Sequence, residues 1–308
     1  MTVCPITYGS CLGLYSKKGL KQLSRNLADL YPLPFSSLEL RQEASARAGK
    51  ISIQGVQPKL SARLNIKQQC FELVDKNGLY ILKPQISDYQ HVPENEDLTM
   101  RLASLAGIEI PLHGLLYGRD NELTYFIRRF DRTGKNHKLH VEDFAQLSGK
   151  NRDTKYNSSM EQVAKTIENF CTFPALEKTK LFRIVLFCFL TGNEDMHLKN
   201  FSLIQKDGLT TLAPSYDLLN TSIVLSSPEE ELALPLNGKK NKLQRHDFIR
   251  YFAKDRLLLT DKLIHNLLTG FKALQDNWKQ LIDISFLSPE KKQAYKHLLQ
   301  SRCSRIFE

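Results

Sequence analysis

At 308 residues with a net charge of +10, the chain has enough material for a large core without disulfide or metal staples, and its basic balance favours acidic partners such as nucleotides. With 42% hydrophobic residues against 15 glycines and 12 prolines, a fibrous or disordered protein is excluded. The longest apolar run, Ile184 to Leu190, has seven residues where a membrane-crossing helix needs roughly 20, and no secretory leader pattern is evident, so the expected location is the cytoplasm.

Six cysteines, Cys4, Cys11, Cys70, Cys171, Cys188 and Cys303, lack the close spacing of a zinc site or a disulfide framework and read as reduced thiols. Residues 1–46 read as a short front segment whose helical stretch is broken by Pro32 and Pro34. From Ile51 a period of two takes over. Ile51 and Ile53, then Leu60, Ala62 and Leu64, predict two strands around a loop from Gly55 to Pro58. A third strand, Gly78 to Lys83, stops at Pro84.

Pro93 opens a helix with Glu94, Glu96 and Asp97 in its first turn, Leu98, Leu102, Leu105 and Ala106 at helical spacing, and Gly107 at its end. Tyr125 to Phe130 predicts a further strand. Beyond Glu142 the spacing turns mainly helical, and the stretch Lys178 to Thr191 becomes apolar nearly all round, as a helix buried on every side must be. A hairpin follows: Phe201 to Gln205, a Lys206-Asp207-Gly208 turn, and Leu209 to Leu212. Asp261 to Leu274 and Pro289 to Leu299 complete the helices. The expected fold is α+β and two-lobed: a sheet-containing lobe over 47–135 carrying the front segment, then a helical lobe over 136–308, a layout that favours a ligand cleft.

The chemistry concentrates in Gly192-Asn193-Glu194-Asp195-Met196-His197-Leu198-Lys199-Asn200, between the buried helix and the hairpin. Asp195 and Asn200 have the D-x-x-x-x-N spacing of a protein-kinase catalytic base and magnesium ligand, and Asp217 follows 17 residues later, where a kinase holds its main metal-binding aspartate. Phosphoryl transfer demands these types, because hard magnesium ions prefer carboxylate and amide oxygens and an aspartate can take the proton of an acceptor hydroxyl. Lys199 offers a point charge to the transferring phosphate. A lone D-x-x-x-x-N match is cheap, since Asp and Asn also populate turns, but here it sits between a buried helix and a hairpin leading to a third ligand. Upstream, Lys83 ends its strand as the ATP-phosphate lysine of a kinase does, with Glu94 or Glu96 as ion-pair partner, Glu96 preferred. The loop Ser52 to Lys59 stands where kinases cover the phosphates, although it holds only Gly55 and is no G-x-G-x-x-G.

Taken in order, Ser52 to Lys59, Ile81-Leu82-Lys83, Arg129-Phe130-Asp131-Arg132, His140 to Gln146, Asn193 to Ser202 and Tyr216-Asp217 resemble the HipA family of bacterial serine/threonine kinase toxins, over roughly residues 50 to 250. The resemblance implies ATP and Mg2+ as cofactors. It assigns Gln54, Gly55, Val56, Gln57, Pro58 and Lys59 to the phosphate-covering loop, Lys83 to a phosphate contact, and Arg128, Arg129 and Phe130 to the adenine hinge. Asp195 becomes the catalytic base, His197, Lys199, Asn200, Tyr216 and Asp217 nucleotide contacts, and Asn200 and Asp217 the metal ligands. Arg128 departs from the glutamate frequent there, a small change where contacts run through the backbone.

Ser52 matches the family's autophosphorylated serine, and a phosphate there would add about −1.5 to −2 charges beside the nucleotide. With only some 46 residues before the loop, the chain is similar to the short HipT variant of the family. That likeness implies a HipS-like small partner, a HipB-like DNA-binding antitoxin and an aminoacyl-tRNA synthetase as acceptor, none of which is selected by a residue of this chain. Two other readings stand beside it: a small-molecule phosphotransferase of the aminoglycoside-kinase type, against which Asn193-Glu194 replaces the usual His-Gly before the aspartate, and a non-catalytic kinase-like regulator, against which Lys83, Asp195, Asn200 and Asp217 are all retained.

Overall fold

The computed structural model describes residues 2–47, 57–133, 137–225 and 230–308, so the expected strand at Ile51 to Ile53 lies outside the described residues. The chain opens with a short antiparallel ladder, β1 (Thr2–Val3) with β2 (Ser10–Cys11), followed by helices α1 (Lys17–Leu23) and α2 (Ser37–Arg47). Ser16 starts α1 by accepting the Gly19 N–H at 3.1 Å, which supplies one donor a helix start leaves unpaired. The prolines at 32 and 34 fall in the irregular stretch between the two helices.

A five-stranded antiparallel sheet is built from β3 (Leu60–Asn65), β4 (Cys70–Leu73), β5 (Tyr80–Lys83), β6 (His113–Tyr117) and β7 (Leu123–Arg128), in the order β4-β3-β5-β7-β6. Helix α3 (Val92–Leu105) is inserted between β5 and β6. Two of these strands, β4 and β6, carry no clear alternation: β4 buries only Phe71, and β6 contains Gly114, which reads as a loop. That glycine is required by packing, since a Cβ there would lie 2.8 Å from Phe126 Cε1. The last expected strand ends at Arg128 and not at Phe130, although the Arg129 N–H still reaches the Leu79 carbonyl at 2.8 Å. Cys4, Leu20, Leu30, Leu40, Leu60, Ala62, Phe71, Leu82 and Phe126 join one apolar core, so the front segment packs as part of it.

After the short pair β8 (Arg132–Thr133) and β9 (His137–Lys138) come β10 (His140–Asp143), α4 (Phe144–Leu147), α5 (Met160–Phe170) and α6 (Pro174–Thr191). The hairpin β11 (Ser202–Lys206) and β12 (Leu209–Leu212) joins β10 in a three-stranded sheet, turned by Asp207 at φ 50° and Gly208 at φ 77°. Helices α7 (Asp261–Ala273), α8 (Gln275–Ile284) and α9 (Pro289–Phe307) follow a π-helical segment, Asp247–Arg256. The all-round apolar character of α6 has its physical reason here: Phe187 meets the Trp278 ring at 5.8 Å and Phe189 the Phe248 ring at 4.7 Å, on different faces. Removing such a buried ring costs roughly 3–5 kcal/mol. Two compact units emerge, one comprising Met1–Leu98, Pro111–His137 and Ile284–Ser288, the other Thr99–Ile110, Lys138–Asp283 and Pro289–Glu308. No helix among the described residues is long and apolar enough to cross a membrane.

Candidate active site

In the first unit, β5 delivers Lys83 as its last residue, because Pro84 has no N–H to continue the ladder. The N-terminal part of α3 presents Glu96 to it, just past the first turn. Lys83 Nζ lies 2.5 Å from Glu96 Oε1, both side chains are 2% exposed, and the Tyr125 ring sits 5.5 Å from the ammonium. Glu94, the other candidate partner, turns instead towards His91, whose Nδ1 is 3.5 Å from Glu94 Oε1. A pair this deep in the protein is costly to break, since removing either partner leaves the other charge buried away from water.

At the end of β7 the backbone of the expected hinge is engaged on both sides: the Arg128 N–H donates to Leu112 O at 2.7 Å and that of Arg129 to Leu79 O at 2.8 Å. The Arg129 guanidinium grips Asp131 with both of its arms, Nε to Oδ1 at 3.0 Å and Nη2 to Oδ2 at 2.8 Å. Burial pulls the Asp131 carboxyl upward, but the hydrogen bond and charge of Arg129, with Arg132 behind, outweigh it and hold the group below the usual carboxylate range. Gln57, Pro58 and Lys59 precede β3; Ser52, Gln54, Gly55 and Val56 lie outside the described residues.

The second unit builds its site where α6 ends. Gly192 caps the helix at φ 70°, and a Cβ there would come within 2.4 Å of Leu298 Cδ2 and 2.8 Å of Ser222 Oγ, so only glycine turns the chain at this point. The loop that follows is stitched by its own polar groups. The Asp195 N–H donates to Asn193 Oδ1 at 3.0 Å, the His197 N–H to Asp195 O at 2.8 Å, and Asn200 Nδ2 to Asp195 O at 2.8 Å. Glu194 faces away from this group, accepting Ser222 Oγ–H at 2.5 Å.

Asp195 keeps its side chain 50% exposed, with His197 Nε2 3.8 Å from Oδ1. Burial pushes the His197 imidazole below its ordinary pKa, partly opposed by the Asp195 and Asp217 carboxylates, so it stands neutral. Lys199 does not extend freely into space: its Nζ lies 2.7 Å from Asp143 Oδ2. The other oxygen of Asp143 caps α4 by accepting the Gln146 N–H at 2.9 Å. Tyr216 ties the segment after β12 to this loop, its hydroxyl 2.5 Å from Ser202 Oγ and 2.9 Å from Lys199 O. Asp217, next in sequence, adopts φ 55°, a left-handed backbone that aspartate tolerates better than most non-glycine residues.

Asn200 and Asp217 are the residues here whose oxygens could hold a hard cation such as magnesium. With Asn200 Nδ2 spent on Asp195 O, the oxygen of the Asn200 amide is the atom left to coordinate, and Asp217 adds a carboxylate. Magnesium is commonly held by one or two protein oxygens plus waters and phosphates, so the lack of a cluster of three or more His, Cys, Asp or Glu among the described residues is compatible with it.

Two neighbours of the site carry no signal in the sequence as functional groups. Tyr156, in the polar stretch between α4 and α5, donates its hydroxyl to Asp195 Oδ1, and Asp143 lies inside the matched stretch from His140 to Gln146 without an assigned role.

Solved structures place the fold in a class. A Shewanella oneidensis HipA, solved with HipB and its operator DNA, superposes with a TM-score of 0.72 over 91% of this chain and 72% of its own, at 24% identity. The Helicobacter pylori proinflammatory kinase CtkA gives 0.55 over 77% of this chain and 87% of its own, at 17% identity. The fold is therefore the α+β, two-lobed one of HipA-like kinases. Residues 51–278 match the HipA-like C-terminal domain, and the chain belongs to that family. A putative kinase of Haemophilus influenzae is 36% identical over 233 residues, which are 71% of this chain and 66% of that protein. The serine/threonine-protein kinase toxin HipA of S. oneidensis is 29% identical over 210 residues, 62% of this chain and 47% of that one. The chain thus spans about two thirds or less of these curated relatives.

Proposed function

We propose that this chain is an ATP- and Mg2+-dependent serine/threonine protein kinase acting as the toxin of a HipA-type toxin–antitoxin system. The observation that carries this reading is the loop itself: a half-exposed Asp195, an Asn200 whose amide oxygen is left free by its own hydrogen bond, and a tyrosine that anchors the Asp217 segment to the same loop.

Asp195 takes the proton of the acceptor hydroxyl, for which its exposure and single-proton chemistry suit it. Lys83, held by Glu96, and Lys199, held by Asp143, are the phosphate contacts, each kept in place by a carboxylate. Asn200 and Asp217 would hold Mg2+, which when bound neutralises charge on the transferring phosphoryl group. The loop Gln54 to Lys59 covers the phosphates and Arg128 to Phe130 supply the hinge. Ser52 is the self-modification site. The partners in this reading are a HipB-like DNA-binding antitoxin, as in the S. oneidensis complex, and a HipS-like small protein; the acceptor is an aminoacyl-tRNA synthetase, and the compartment is the bacterial cytoplasm.

The test is turnover of γ-labelled ATP with magnesium by the purified chain and by Asp195→Asn, beside thermal unfolding of both. The variant is expected to lose on the order of a thousandfold in turnover with its Tm little changed, since Asp195 is half in water and asparagine keeps an oxygen for the Tyr156 hydroxyl. Equal turnover by the two proteins would refute the assignment.

A further inference from the structure

Asp195 is not left to choose its own orientation. The Tyr156 hydroxyl donates to Asp195 Oδ1, and Tyr156 is itself fastened from several directions. The carbonyl of the preceding Lys155 accepts the Leu198 N–H at 3.3 Å, which joins the Tyr156 stretch to the catalytic loop by backbone. The His197 ring meets the phenol edge-on, 5.0 Å between centroids at 80°. The ammonium groups of Lys155 and Lys240 stand 4.9 Å and 5.9 Å from the ring centre, and Lys240 is in turn tied to Glu230 at 3.0 Å. Burial and the neighbouring Asp195 and Glu230 charges push the phenol above its ordinary pKa, so it stays a donor across the physiological range.

A carboxylate has two oxygens and turns easily about its terminal bond. One hydrogen bond to Oδ1 removes that freedom and leaves Oδ2 as the proton acceptor. We infer that Tyr156 is a positioning residue of the kinase, its hydroxyl fixing the Asp195 carboxylate so that the second oxygen faces the acceptor hydroxyl. The inference rests on Asp195 being the base. A displaceable gate is the competing role for a phenol on this carboxylate, but a gate must leave, and Tyr156 is held by a backbone bond at its neighbour, a ring contact and two cations.

The experiment measures total γ-phosphate turnover, to water and to protein together, for the parent chain, Tyr156→Phe and Asp195→Asn, with KM for ATP and thermal unfolding alongside. Phenylalanine keeps the ring and its contacts and deletes only the donor. The expected result is a fall in kcat of roughly ten- to hundredfold for Tyr156→Phe, the size of a lost hydrogen bond to a charged group, with KM for ATP and Tm unmoved. A kcat equal to the parent, or higher as a released gate would give, overturns the inference. So does a loss in which KM and Tm shift together, which marks a structural role. If Asp195→Asn turns over as fast as the parent, the assignment of the base has failed, an outcome distinct from a silent Tyr156→Phe beside a dead Asp195→Asn.

Discussion

Lys83 and Glu96 in the first unit have both left water, each 2% exposed, and depend on one another at 2.5 Å, whereas Asp195 in the second unit keeps half of its surface wet and is steadied by hydroxyl and amide groups. The difference decides what a substitution damages. Where two charges are buried together, removing one strands the other and the fold suffers with the chemistry. Where a charge is half solvated and its supports are neutral, the same kind of change falls on the reaction alone.

Lys83→Met puts the largest strain on this comparison. It takes the ammonium away from beside the buried Glu96 carboxylate, which is expected to cost roughly 3–5 kcal/mol in urea unfolding, and it also abolishes ATP turnover. Adding Glu96→Gln removes the stranded charge, so the double variant is expected to recover much of the stability and none of the turnover. Were Lys83→Met as stable as the parent, the contrast between a buried and a wet half of the machinery would break.

The same contrast governs what could be seen in the sequence. The loop from Gly192 to Asn200 and the aspartate at 217 are close along the chain, so their spacing, together with the buried helix before them and the hairpin marked by its Asp207-Gly208 turn, made them candidates. The buried pair was half visible: Lys83 ended a strand before a proline, but Glu94 and Glu96 both stood in the right turn, and only packing separates one that meets the lysine from one that turns to His91. Strands β4 and β6 escaped because neither alternates, β6 being buried throughout apart from its last residue and interrupted by a glycine that Phe126 demands. Tyr156 and Asp143 were silent as partners, since a hydrogen bond across 39 residues and an ion pair across 56 leave no periodicity behind.

Asp143→Asn sharpens the comparison inside the second unit. The asparagine keeps an oxygen to cap α4, so unfolding is expected to shift by no more than about 1 kcal/mol. Lys199 loses the carboxylate that holds it at 2.7 Å, and KM for MgATP is expected to rise several-fold, at kcat close to the parent's, because a flexible ammonium must then be ordered by the phosphate itself. Asp143→Ala removes cap and counter-ion together and is expected to add a stability loss of about 1 kcal/mol to the same KM. A KM unchanged in both would detach Lys199 from the nucleotide.

The smallest effect tests whether the first unit's charge pairs grade with burial. Asp131 is gripped by Arg129 as Glu96 is by Lys83, but the two side chains are 15% and 27% exposed, so the pair is expected to contribute under about 1 kcal/mol. Its sign is set by the lowered carboxyl. Below the unfolded-state value near 3.9 the unfolded chain binds the proton first, so the stabilisation is whole above that pH and drains away as pH falls through the lower folded-state value. Asp131→Asn should therefore be slightly less stable than the parent at neutral pH, and the gap should close on acidification from about pH 5 to below the folded-state value. Urea midpoints of both proteins across that range measure it. A gap that stays constant means that Arg129 acts on the Asp131 side chain through shape and hydrogen bonding and not through charge.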